Sequence, residues 1–296
     1  MMDYKFEKVF REVMDWLPDN YKIPDEFIDD LFQSMEALNT NKDNIESNPE
    51  YEKIVNLFIG EWALRSFGIL SNSPSILQYI FRGFFVQISN TLSCILKLVK
   101  DGFDYQSINL VRNLIEISYT LLTLIIDEES RNKFLEAAKN GNEKTIWYKY
   151  FRFERMEKII WKYISSIGNE NEVTFLKNKG SEIYHWLSSF VHNDFINILF
   201  YSHSEPEYED GEMAINLQGH YVTRVTKILE QVIEIMFLVD MLFVKILSDN
   251  QISISKNDLC TESEGQDYWN QAMAIYFITN KYFIELKGNE SNGNNN

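Results

Sequence analysis

Long apolar runs separated by short polar breaks dominate this chain, and the breaks carry the punctuation of helices rather than of hairpins. "ILQYIFRGFFVQISNTLSCILKLVK" and "DYQSINLVRNLIEISYTLLTLIID" repeat their apolar residues at three- and four-residue intervals, the period of a helix with covered faces. The link between them is so short that the two must form an antiparallel pair; Gly102 suits the terminating position and Asp104 is a candidate cap. Upstream, "SNSPS" closes a helix of about 50–70, and Ser73 or Ser75 can open the one of about 75–100. The same pattern predicts helices at about 104–127, 129–140, 143–166, 170–178, 181–200, 219–248 and 264–286. No proline lies between Ser75 and Glu205, so none breaks a helix in that interval. The nearest thing to strand alternation is "ISIS".

The expected fold is all-α: a multi-helix bundle of long antiparallel helices with a short N-terminal helical appendage. The appendage, 1–49, is acidic and holds short helices at about 3–17 and 24–38; the main bundle is 50–287, and 288–296 is a disordered tail. The stretch 203–219 is acidic, contains Pro206 and Gly211, and reads as an exposed loop. A hydrophobic content of 45% in 296 residues is enough for a substantial core. The most apolar segment, 232–247, carries Glu234, Asp240 and Lys245, so it reads as a core helix rather than a membrane span.

Charge narrows the functional classes. At −16 the chain repels phosphate backbones at long range, which disfavours broad coating of nucleic acid but leaves room for a local basic strip. Cys94 and Cys260, far apart and without metal spacing, fit reduced thiols in a cytoplasmic protein. The N-terminus lacks the basic and apolar regions of a secretory signal, and no membrane association is expected.

Three polar stripes interrupt the apolar pattern. In "HWLSSFVHNDF", His185, Ser188, Ser189 and His192 share one side of a helix, with Asn193 beside them and Ile183, Leu187 and Phe190 opposite. Small hydroxyls around imidazoles suit a cleft, and histidine moves protons near neutrality. The same pattern also fits a wet helix face. On the 104–127 helix, Arg112 and Glu116 are one turn apart, with Tyr105, Asn109, Tyr119, Thr120, Thr123 and Asp127 on the same side. Arg112 can bind an anion while Glu116 orients its guanidinium; a plain surface ion pair is the other reading. In "WYKYFRFERMEKIIWKY", Arg152, Arg155, Lys158 and Lys162 interleave with aromatics, as in a single-stranded RNA contact or in the outer face of any amphipathic helix. Phosphate-loop, dinucleotide-binding, zinc-protease and hydrolase-elbow motifs are absent, and the two histidines, two turns apart, do not make a metal site.

The arginine and glutamate of "LVRNLIE", with the serine and histidine of "WLSSFVHNDF" further along the chain, resemble a group of bacterial all-α proteins with R-x-x-x-E on one helix and S-x-x-H on a later one. That group is itself similar to the HEPN superfamily (higher eukaryotes and prokaryotes nucleotide-binding), over about residues 75–247 of this chain. The resemblance implies a helical bundle that forms homodimers, works without a metal or other cofactor, and belongs to bacterial defence or stress response. Active members are ribonucleases or toxins carrying R-x4–6-H on one helix; others are inactive scaffolds. Here Asn113 comes directly after Arg112 as that pattern prefers, but no histidine stands four to six residues beyond. The implied catalytic set is therefore composite, with Arg112, Glu116 and His192 drawn from two helices. Asn113, His185, Ser188, Ser189, Asn193, Arg152, Arg155 and Lys158 would then bind substrate, an RNA or a nucleotide. The alternative is a non-catalytic adaptor or nucleotide sensor that binds a partner protein.

Overall fold

In a computed structural model the described residues are 49–69, 74–101, 103–140, 143–191, 225–249, 252, 254–261 and 264–293, with positions 8, 9, 12, 13 and 27 near the N-terminus. Among them are ten helices and no strand: α1 (Pro49–Phe67), α2 (Ile76–Lys100), α3 (Asp104–Ile126), α4 (Glu128–Asn140), α5 (Glu143–Tyr150), α6 (Phe153–Ile167), α7 (Glu170–Val191), α8 (Val225–Ser248), α9 (Lys256–Leu259) and α10 (Glu264–Gly293). The all-α expectation holds. The expected helices of 3–17 and 24–38 fall almost wholly outside the described residues, as does the acidic stretch 203–219 entirely.

The chain divides into two units, the first comprising Met1–Leu96, Val225–Ile233 and Asn257–Asn296. Its frame is the antiparallel pair α1 and α10. Gly60 faces Ile275, and the Tyr282 hydroxyl donates to the Glu50 carboxylate at the far end. At the near end Gly265 lies against the Gly68 carbonyl and the Thr261 hydroxyl, a space with no room for a Cβ. Arg65 is fully buried there, paired with Glu61 and flanked by the rings of Trp62 and Trp269 at 5.3 and 5.2 Å. The start of α2 is a reciprocal capping box. Gln78 N–H donates to Ser75 Oγ (3.1 Å), and Ser75 N–H donates to Gln78 Oε1 (2.8 Å), so Ser75 is the start signal. Both cysteines are free thiols.

The second unit comprises Lys97–Arg224 and Glu234–Lys256. Helix α3 is its centre, with α4, α6 and α7 packed on it. By length and composition α3 is the one helix among the described residues able to cross a membrane, but 72% of its apolar window is buried against its own chain. Most of its circumference is aliphatic, and Ile108, Leu114, Leu121 and Leu122 are fully enclosed. Asp104 does not cap it: Phe103 occupies the N-cap position without a side-chain bond, and Asp104 is buried in the first turn. Gly102 lies outside the described residues. The other end is capped from the next helix, where the buried Arg131 donates through Nη1 to the carbonyls of Leu124 (2.8 Å) and Ile125 (3.3 Å). Asp127 Oδ2 accepts from Ser130 N–H (2.8 Å) and so starts α4.

Three boundaries differ from expectation. The single helix predicted over 143–166 breaks at Arg152, whose backbone is extended (φ −66°, ψ 141°). The break lets Phe151 and Phe153 both turn inward, Phe151 edge-on to Phe134 at 5.6 Å. Conversely, the predicted helices 170–178 and 181–200 are one helix through Gly180 to Val191. Helix α10 also continues past 286 to Gly293.

The cap on α3 yields a stability prediction. Arg131→Met keeps the aliphatic bulk but strands two buried carbonyls, and should lower unfolding stability by about 1–3 kcal/mol in urea titrations. A change of a few tenths would mean that these carbonyls find other donors.

Candidate functional site

Helix α7 packs antiparallel to both α3 and α6, and the three together produce a seam lined by rings and polar groups. Phe153 of α6 stacks face to face on Tyr184 of α7 (centroids 3.5 Å apart, planes 2° apart) and on Tyr119 of α3 (4.9 Å, 27°). The guanidinium of Arg112 lies over the Tyr184 ring at 5.7 Å, at the end of this three-ring column. Its Nε donates to Glu116 Oε1 at 3.1 Å, one turn along α3. Both side chains keep part of their surface in solvent, 20% for Arg112 and 32% for Glu116. Nη1 of Arg112 is enclosed and has no hydrogen-bond partner among the described residues. Across the seam the Ser181 hydroxyl donates to Glu157 Oε1 at 2.9 Å, tying α7 to α6.

Gly180 sets how closely the helices meet. A Cβ at this position would stand 2.9 Å from the Tyr119 hydroxyl and 3.3 Å from Trp161 Cζ2. The Tyr119 hydroxyl and Trp161 Nε1 are both buried without a hydrogen-bond partner among the described residues. Desolvation, and secondarily the nearby Glu157 carboxylate, pushes the Tyr119 phenol well above its ordinary value near 10. The seam thus encloses three donors, on Arg112, Tyr119 and Trp161, and exposes the edge of an ion pair.

Only some of the site residues expected from sequence meet here. Arg112 and Glu116 are together, and Arg112 contacts α7 at the residue before His185. His185 is exposed, Ser188 and Ser189 belong to α7, and His192 and Asn193 lie outside the described residues. Asn113 is exposed on α3. Of the stripe around Arg112, Tyr119, Thr120 and Thr123 are wholly buried, and Thr120 spends its hydroxyl on the Glu116 carbonyl at 2.8 Å. The basic residues engage α5 instead. Arg152 lies over the exposed Tyr148 ring (5.6 Å); Arg155 lies over Tyr150 (4.6 Å) and donates to the Lys149 carbonyl (3.2 Å). Lys158 is exposed. Among the described residues, no group of three His, Cys, Asp or Glu side chains is placed to hold a metal.

Tyr184 and Glu157 were missed by the stripe analysis. Tyr184 stands three residues after Ser181 and four before Ser188, so the serine stripe itself contained the ring on which Arg112 rests. Family models, curated proteins and solved structures yield no match to this chain.

Two measurements test the seam. Gly180→Ala forces α7 away from Tyr119 and Trp161 and should cost about 1–3 kcal/mol in chemical denaturation; wild-type stability would show that the helices have slack. Tyr119→Phe addresses the pH dependence. Because the folded phenol titrates above the unfolded one, its contribution is complete below pH 10 and is lost as pH rises beyond it. The Phe variant should therefore lose less Tm between about pH 10 and 12 than wild type. Some loss persists, because burial and the Asp249 carboxylate raise Tyr163 as well. Parallel Tm curves for the two proteins would contradict the burial of Tyr119.

Proposed function

We propose that this is a HEPN-like helical protein of bacterial defence or stress response that cleaves RNA at the Arg112 seam. The observation carrying the proposal is the state of Arg112. One donor is spent on Glu116, the guanidinium lies over a ring, and Nη1 has no acceptor among the described residues. Such a guanidinium is oriented before any ligand arrives, which is what stabilising charge on a phosphoryl group requires.

In the proposed reaction a substrate 2′-oxygen attacks the adjacent phosphorus and the 5′-oxygen leaves, giving a 2′,3′-cyclic phosphate and a 5′-hydroxyl. His192 takes the proton from the 2′-hydroxyl while water protonates the leaving 5′-oxygen, or protonates that oxygen while water takes the 2′-hydroxyl proton, and Arg112 bears the negative charge of the phosphorane. Glu116 is a positioning residue acting through Arg112. Homodimerisation and a cytoplasmic location belong to the same reading.

The test is expression of wild type, Arg112→Ala and His192→Ala in bacterial cells, with growth and RNA integrity monitored together. Wild type should arrest growth and fragment RNA, with cyclic-phosphate ends. Each variant should reduce fragmentation at least about a hundredfold. Intact RNA in all three cultures, with a protein co-purifying equally with each, would replace the nuclease by an adaptor.

A further inference from the structure

The elbow between α5 and α6 reverses the electrostatic character of the chain. Between Lys139 and Lys162 there are seven lysines and arginines and three glutamates, a local charge of +4 in a chain of −16. Aromatic surface is exposed in the same place: Trp147 is 42% and Tyr148 54% exposed, both unusual for rings of this size. Trp147 rests on the buried Phe151 (5.5 Å, 27°), which fixes its plane, and the Arg152 guanidinium covers Tyr148. Lys149, Arg152 and Lys158 are exposed.

We infer that this elbow is a docking surface for single-stranded RNA, with bases stacking on Trp147 and Tyr148 and phosphates passing along Lys149, Arg152 and Lys158. Phosphate complements the local charge, and ring faces flanked by cations are how sequence-tolerant strand binding works. A duplex hides its base faces and brings twice the charge toward an acidic protein. An anionic membrane is favoured less, because α5 has only eight residues, few for an interfacial anchor. The inference deepens the proposed function by naming a single strand, and rests on it only for the cleavage of a captured strand.

Fluorescence anisotropy of the full chain with a fluorescein-labelled U12 RNA tests it. Saturable binding at 50 mM salt should weaken at 200 mM, and the duplexed oligomer should bind at least about tenfold more weakly. Trp147→Ala with Tyr148→Ala should weaken U12 binding about tenfold or more. Lys149→Gln with Lys158→Gln, a pair of exposed changes that spares the packing under Trp147, should flatten the salt dependence by about one log unit per log unit of salt. No saturable binding by wild type, or wild-type affinity in the natively melting aromatic variant, overturns the inference. So does elbow-dependent binding of phosphatidylserine vesicles without binding of U12. Binding through the elbow without cleavage removes only the catalytic proposal. Arg112-dependent cleavage of U12 with unchanged affinity in the aromatic variant removes only the docking surface.

Discussion

Helix α3 carries aliphatic side chains around most of its circumference, and burying them governs the second unit. Once such a helix is enclosed, each polar group on it must be capped, back-bonded or left facing a seam. Arg131 closes its C-terminal carbonyls from outside. Ser118 and Thr120 return their hydroxyls to the carbonyls of Leu114 and Glu116. Arg112 is too long and too strongly charged for either solution. It reaches to the margin of α7 and lies across Tyr184, where its partial exposure keeps the charge solvated. The candidate site thus lies on the margin where α3 passes from its enclosed faces to solvent.

The ring column makes that margin rigid. Phe153 can stack on both Tyr119 and Tyr184 because the chain breaks at Arg152, directing Phe151 and Phe153 inward from an extended link. Gly180 then permits α7 to approach closely enough for Tyr184 to reach the column. A longer α5–α6 helix would carry these rings around its circumference at 100° per residue and disperse them. The break and the glycine are two backbone features serving one contact.

Helix periodicity was legible because burial imposes it: the α2, α3 and α4 limits match the apolar spacing, while the choice between Ser73 and Ser75 as the start signal is made only by the bonds between Ser75 and Gln78. Asp104 misled because cap chemistry is a local preference, and here the first turn is buried, so tertiary packing decided. The break expected between 178 and 181, around Gly180, failed in the opposite sense. Glycine costs a helix roughly 1 kcal/mol, which suggests a break when read locally, yet close contact with α3 and α6 supports the helix through it. Arg112 and Glu116 were readable as a pair from their spacing; Tyr184 was hidden because its role depends on a helix 70 residues away in the chain.

Charge segregation adds a constraint that packing alone does not explain. Removing the 139–162 stretch leaves the rest of the chain at −20, so the basic residues stand against the field of their own protein. For stability alone, dispersing these cations among the acids would relieve more repulsion than gathering them at one elbow. Concentration has a different consequence: as the proposed RNA surface, the elbow would attract a phosphate chain at short range, while the acidic remainder of the chain would turn longer or stiffer polyanions away. Screening shortens both fields to about 8 Å at physiological salt, so only a strand able to bend into the elbow would sense the attraction. Flexibility of the ligand, more than its total charge, is what such a surface would select.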